Sequence, residues 1–529
     1  AQEKNEDIAG AIESYEQAAR LDTQDPAALL HLGILYGRRQ ELGAAGNAFQ
    51  EAERLYQALF NFEGVTEVCY QRGFLYKNLN RLADARAQLE AALNTAGISV
   101  YQQIRAQLVL SSVSAAEGNA AEADREASEA IQKALDNRIE NQATSGLIWL
   151  GNSFLLRGEY NDAEKSYKRA LDFAKRDNGH MNEAVALFSL GSLRSQQRNT
   201  DEALNYIEQA IHFFEKGDYR KWLSTALILL GRINRDRGDY SAALRAFDEQ
   251  LQLGKRTGDL SQLALSHQES GSVLTAQEEY SDALTHFDES CSIKRSLNVT
   301  VSLGYSLMYR GGVLAQLGRY PEARAALDEA SSIAERSEGA YKELLANIYL
   351  ARARLALSGS RFRDSLSSSR RSLDLANVLY QDIAVQAKIT LGLAEARSGE
   401  RRLGSQACAE AVELATSIGD PQLLSSALLA YAETMLESGE VERALETALR
   451  AQERFAHYGQ QDSEWRAWLI AAEAKQRLGD VTAAREYAST AETRLSNLAQ
   501  KWGPEAYNGY LARSDIQYFR RRLGQLTTI

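Results

Sequence analysis

The sequence is poor in the residues that staple or punctuate a fold. Among 529 residues there are only three cysteines and four prolines. Cys69, Cys291 and Cys408 lie far apart, with no CxxC or Cys/His spacing, which excludes a disulfide framework and a structural zinc site. They read as small buried hydrophobes. Positive charge is also short, with 60 basic against 71 acidic residues and a net charge of −11. That balance argues against a general nucleic-acid binder, which needs clustered cations to displace counterions from phosphates. No apolar run approaches the roughly 18 residues that cross a bilayer; the stretch Ala226 to Gly231, "ALILLG", is far too short. There is no glycine-rich phosphate loop, no HExxH, no GxSxG and no metal-ligand cluster. The six histidines are scattered; His267 and Cys291 flank one segment, but no third catalytic partner accompanies them. The expectation is a chain that is not an enzyme, with no cofactor and no metal.

What is present is a soluble, foldable composition, 44% hydrophobic and 25% charged, arranged with a strong period. The skeleton of Leu230 to Phe247, "LGRINRDRGDYSAALRAF", returns forty residues earlier and forty residues later. Its small anchor falls at Gly33, Gly73, Ser111, Gly151, Gly191, Gly231, Gly271, Gly311, Ala353, Gly392, Ala432 and Ala472. Twelve residues after each anchor comes a second small residue, and four further on, in most repeats, a bulky apolar one such as Phe49, Tyr167, Ile207, Phe247 or Phe287. Apolar residues three and four apart mark both halves of the unit as helix. A glycine seven places after the anchor, at Gly118, Gly158, Gly238, Gly318, Gly399, Gly439 and Gly479, suits the left-handed turn that ends a helix. Between units, "TGDL" at Thr257 and "IGDP" at Ile418 combine a terminal Gly with an Asp N-cap. None of the four prolines interrupts the middle of a proposed helix.

This pattern resembles the tetratricopeptide repeat, most fully where Leu150, Gly151, Phe154, Gly158, Tyr160, Ala163, Tyr167 and Ala170 follow one another. The forty-residue period is similar to that family's long-helix variety, from about Ile8 to about Asn497. The resemblance implies an all-α fold, a right-handed α-solenoid (superhelix) of stacked antiparallel helix pairs. Each unit leaves an apolar face that only a neighbour can cover, so the sequence repeats because the contact repeats. The expected organisation is a partial repeat with an orphan second helix over 1–26, twelve tandem repeats over 27–499, and C-terminal capping helices over 500–529.

In such arrays the first helices line an inner surface, at the anchor minus three, plus one and plus four. Carried onto this sequence, those positions give a polar ladder of Asn152, Ser192, Arg232, Arg235, Gln268 and Ser272. Two guanidiniums in that ladder suit an extended or acidic peptide. Elsewhere the same positions are apolar: Leu30, Ile34, Tyr70, Phe74, Met308, Leu350 and Leu393. The Lys/Asn set of the family's carboxylate-clamp variety is absent. The leading functional expectation is a protein-protein interaction scaffold. A second is head-to-tail assembly into a filament, through Tyr15 at one end and Trp502, Tyr507, Tyr510 and Phe519 at the other. A third, from the tail "YLARSDIQYFRRRL", is the sensory or interaction arm of a larger bacterial signalling protein. The Ala-Gln start fits the mature end left by a signal peptide, which favours an extracytoplasmic or secreted location. The "NVT" at Asn298 matches a glycosylation acceptor.

Overall fold

The computed structural model describes residues 8–39, 41–95, 97–176, 179–217, 219–336, 341–376 and 379–527. Every regular element among the described residues is an α-helix. The chain divides into two compact units, residues 1–226 and 227–529. In the first unit α1 (Ile8–Leu21) precedes five helix pairs. These are α2 (Pro26–Arg38) with α3 (Leu42–Ala58), α4 (Phe62–Asn78) with α5 (Leu82–Leu93), α6 (Val100–Ala116) with α7 (Ala120–Asp136), α8 (Glu140–Leu156) with α9 (Tyr160–Arg176), and α10 (His180–Gln196) with α11 (Thr200–Lys216). The unit boundary falls within α12 (Arg220–Arg237), whose partner is α13 (Tyr240–Thr257). The second unit continues with α14 (Leu260–Ala276) and α15 (Tyr280–Ser296), α16 (Thr300–Gln316) and α17 (Tyr320–Glu335), and α18 (Lys342–Ser358) and α19 (Phe362–Ala376). It ends with α20 (Gln381–Arg397) and α21 (Arg401–Ile418), α22 (Pro421–Ser438) and α23 (Val441–His457), α24 (Gln461–Arg477) and α25 (Val481–Leu511), then α26 (Ser514–Thr527). Twelve pairs stand where the twelve anchors place them.

The anchors are small because the bulky residue sixteen places on lies across them. A Cβ added to Gly151 would come within 2.5 Å of Tyr167, and one on Gly191 within 2.6 Å of Ile207. Both distances are closer than real Cβ contacts allow, so the helices of a pair approach only where the side chain is absent. Among the described residues, the turn between paired helices uses one left-handed residue seven places after the anchor. All seven glycines anticipated there have positive φ, from 74° at Gly318 to 107° at Gly399. The same place is left-handed even when no glycine is available, at Asn80, Arg198, Glu278 and Ser360. The fold imposes the conformation and the sequence usually supplies the residue that tolerates it. Between repeats, Asp259 and Asp420 cap α14 and α22, and Gly258 and Gly419 are left-handed as expected. All three cysteines are buried free thiols.

Candidate interaction site

Inner positions of the first two repeats are mostly apolar and aromatic, and several stay half-buried. Ile34, Tyr70 and Phe74 are of this kind, and half-buried Trp149, at anchor minus two, is brought beside them by its contact with Lys77. Tyr70 stacks on Phe74 with ring centroids 6.4 Å apart. The Arg105 guanidinium lies 4.1 Å over the Tyr70 ring and binds Glu67 through two nitrogens, at 2.9 and 3.3 Å. Lys77 Nζ sits 5.2 Å over the ring of Trp149, and burial pushes its ammonium below the usual lysine value. The strip therefore presents flat apolar side chains whose neighbouring cations are already engaged. Asn152 is exposed and accepts the Tyr167 hydroxyl at 2.6 Å, and Ser192 is half-buried further along this unit. Tyr15 stacks on His31 at 4.7 Å, and the Tyr36 hydroxyl donates to Glu16 at 2.6 Å, pushed up to about 12 by that carboxylate. Tyr15 is thus used to seat α1 on α2.

In the second unit the polar ladder is corrected. Arg232 donates to Glu269 at 2.6 Å and Arg235 to the other oxygen of the same carboxylate at 3.3 Å. Arg235 also contacts Asp236 at 3.1 Å. Both guanidiniums already have a carboxylate partner, although the Arg232 side chain is still 44% exposed, so neither is an unpaired cationic seat for an acidic peptide. Gln268 accepts from Lys294 at 2.7 Å and from Ser306 at 2.9 Å, and Ser272 bonds back to the Gln268 carbonyl at 3.0 Å. Lys294 is 3% exposed, and burial pushes its ammonium down to about 8. Gln268 serves this buried lysine.

The expectation of a simple C-terminal cap on the last repeat is also corrected, because the C-terminal segment reaches back to α14 and α16. The N-terminus of α24 has no local side-chain cap; instead Glu278 accepts the backbone N–H of Asp462 at 2.6 Å and of Ser463 at 3.1 Å. Gln460, the N-cap residue of α24, donates to the carbonyl of Ala276 at 2.7 Å, so the end of α14 and the start of α24 satisfy each other across 184 residues. Helix α25 breaks at Gly503 (φ 78°, ψ 165°), just before Pro504. On the near side of that kink Lys501 donates to the Gln277 carbonyl at 2.6 Å and the Trp502 indole to the Glu278 carbonyl at 2.5 Å. On the far side the Tyr510 hydroxyl donates to Asp462, while Arg513 donates to the Gln316 carbonyl at 3.1 Å and to its side-chain oxygen at 2.6 Å. Burial and the Asp462 carboxylate push Glu278 up to about 8. The sequence reading missed Glu278; its signal is a glutamate at a turn position that glycine dominates.

Beyond this seam, formed where the start of α24 and the C-terminal segment meet the ends of α14 and α16, α26 lies against α18 and α24. Phe519, 2% exposed, meets Trp465 edge-on at 6.2 Å, with the guanidiniums of Arg397 and Arg466 at 5.0 and 5.1 Å. Both arginines also pair with buried Glu433, at 2.6 and 3.8 Å. Arg522 pairs with Glu437 at 3.3 Å and with Glu473. Glu433 and Glu473 occupy the plus-one position of their repeats, so α26 covers the inner face there. Trp502, Tyr510 and Phe519 are buried and Tyr507 half-buried in the protein's own core, which corrects their reading as an exposed end for another molecule.

Antiparallel helix pairs stacked through small anchors define an α-solenoid of the helical-repeat class. The chain carries tetratricopeptide repeats: family models described as tetratricopeptide repeat match residues 66–96, 142–216, 226–261 and 304–377. Among solved structures it is similar to the apo form of RapI, at 19% identity over 52% of this chain and 98% of that one, with a TM-score of 0.45. It is similar to aspartyl phosphate phosphatase F from Bacillus subtilis at 15% identity, over 74% and 94% of the two chains, TM-score 0.45. It is similar to yeast Tom70 at 14% identity, over 90% and 94%, TM-score 0.35. No curated protein matches the sequence.

Proposed function

We propose that the chain is a non-enzymatic protein-interaction scaffold whose first unit holds an apolar segment of a partner protein against its inner face. The observation that carries this reading is the strip of half-buried Ile34, Tyr70, Phe74 and Trp149. Aromatic side chains left part-exposed on a rigid helical surface are the usual anchors of a protein interface, offering large contact area at little cost in side-chain entropy. The cations beside them are engaged, Arg105 by Glu67 and Lys77 over Trp149. The strip therefore favours apolar over acidic partner side chains. The non-enzymatic reading draws on the thiols: burial raises Cys69, pushes Cys291 up to about 11 and Cys408 up to about 12, so none is a thiolate nucleophile near neutral pH.

A photo-crosslinking side chain at Phe74 tests this, with the same probe at outward Gln132 as control. Capture of a defined protein at position 74 and not at 132, lost when Tyr70 and Trp149 are both changed to Ala, is the expected result. Equal capture at both positions would overturn the reading.

A further inference from the structure

The α26 contact has the composition of a ligand site that happens to be filled by its own chain. Ile516, Phe519, Leu523 and Leu526, spaced by three and four residues, form the buried stripe of an amphipathic helix, while Gln517, Tyr518, Arg520 and Arg521 face solvent. The receiving surface is charge-matched to Arg522, which flanks that stripe. Glu437 and Glu473 take Arg522, and Arg397, Arg466 and Trp465 surround Phe519. The fit is incomplete. Glu473 Oε1 is buried without a hydrogen-bond partner. A cavity of about 480 Å³, lined by Glu437, Glu473, Gln476, Arg477, Tyr518 and Arg522 among others, remains beside the helix. Arg477 meets only the Leu436 carbonyl there, at 2.5 Å. The buried Nε of Arg466, beside Phe519, is likewise without a partner, so α26 leaves both a carboxylate oxygen and a guanidinium N–H of this surface unused, with space next to the former.

We propose that the inner face of repeats 10 to 12 is a docking groove for an amphipathic partner helix carrying an aromatic residue and, three positions on, an arginine, with α26 as its resident cis occupant. The partner gains what α26 does not reach, a donor on Glu473 Oε1 and side-chain volume in the cavity. Exchange involves α26 alone. The seam through Trp502, Tyr510 and Arg513 stays closed, since Arg513, the residue before α26, is tied to the backbone carbonyl and side-chain oxygen of Gln316. The resident helix competes from within the molecule, at an effective concentration set by its two-residue connection. A free helix therefore binds weakly until the cis contact is loosened. At 14 residues, the free segment folds only on the groove.

The test uses the full chain and a fluorescent peptide of residues 514–527, followed by anisotropy. Arg522→Glu in the chain removes the cis ion pairs, and it is expected to bind the wild-type peptide at least ten-fold more tightly than the wild-type chain does. A peptide carrying Arg522→Glu is expected to lose that binding, and one carrying Arg522→Lys to keep most of it. A folded Arg522→Glu chain that ignores the peptide, or that binds the wild-type and Arg522→Glu peptides alike, would overturn the proposal. Should that variant fail to fold, hydrogen exchange of 514–527 in the wild-type chain replaces it. Faster exchange with excess peptide supports displacement, and unchanged exchange at saturating peptide refutes it.

Discussion

Replacing Glu278 with Gly sets two effects of opposite sign against each other. The residue is left-handed (φ 61°), a conformation that costs a non-glycine residue about 1 kcal/mol, so glycine relieves the backbone by that amount. The same change deletes the side chain that caps α24 from outside its own repeat. The N–H groups of Asp462 and Ser463 lose their acceptor, as does the Ser463 hydroxyl at 2.7 Å. Removing a helix N-cap costs about 0.5–2 kcal/mol. Leaving a buried donor unsatisfied costs about 1–3 kcal/mol. Asp462 is buried, so water replaces the lost acceptor poorly. The loss outweighs the relief, and the start of α24 is expected to open more easily by about 0.5–4 kcal/mol, near 2 at the middle of the range.

A repeat array does not unfold as one unit, so the readout is local. Hydrogen exchange of residues 460–466 is expected to accelerate by roughly one to two orders of magnitude, since each 1.4 kcal/mol is about ten-fold. Ser360→Gly is the control. Ser360 has the same left-handed backbone (φ 57°) and an exposed side chain, so that variant is expected to be neutral or more stable by up to about 1 kcal/mol. If Glu278→Gly matched Ser360→Gly, with exchange at 460–466 unchanged, the cross-chain cap would not hold α24 in place.

Glu278 also makes the seam sensitive to pH. Its folded value of about 8 exceeds the ordinary 4.5, so the folded state binds the extra proton and seam stability falls as pH rises from about 4.5 through about 8. Exchange of 460–466 followed against pH checks the direction. Lys294 works the other way: its folded value of about 8 lies below the ordinary 10.5, so stability rises as pH climbs from about 8 to about 10.5. Lys294→Met is expected to be at least as stable as wild type near neutral pH and to lack that alkaline gain, read by denaturant midpoints. Gly191→Leu forces a side chain onto Ile207 and is expected to destabilise its repeat by about 1–3 kcal/mol, visible as a lower thermal midpoint.

The repeats are legible because one contact recurs. The glycine at 151, the Tyr at 167 and the left-handed turn at 158 are three views of one packing event, printed twelve times with substitutions. The seam is a contact made once. Nothing in "TAQEEY" announces that Glu278 reaches a helix 184 residues later, because no second copy of that pairing exists to form a pattern. The ladder misled for a related reason. Arg232 and Arg235 lie at inner positions, but Glu269 stands at anchor minus two, outside the three positions counted; it binds both, and with Asp236 it balances their charge. Net chemistry at a repeat surface depends on neighbours that a position-by-position reading leaves out.

The kink at Gly503 bears on self-assembly. Were Gly503 helical, α25 would run on straight and carry the C-terminal aromatics away from the molecule. Pro504 would then lie inside a helix, with no N–H to donate and its ring against the carbonyl of Gln500, at a cost of about 3 kcal/mol. As folded, Gly503 takes a conformation open to glycine and Pro504 starts the next turn, where its missing donor does not matter. The segment is turned back onto its own unit, and Trp502, Tyr510 and Phe519 are buried there. A second molecule must compete with a contact already made in cis, so the expected mass by light scattering is a constant 58.5 kDa from micromolar to about millimolar concentration. Changing both Gly503 and Pro504 to Ala permits the straight helix and is expected to produce larger species at high concentration. Mass that grows in the wild type at low micromolar concentration would show instead that the ends meet between molecules, with the cis seam as the weaker of the two contacts.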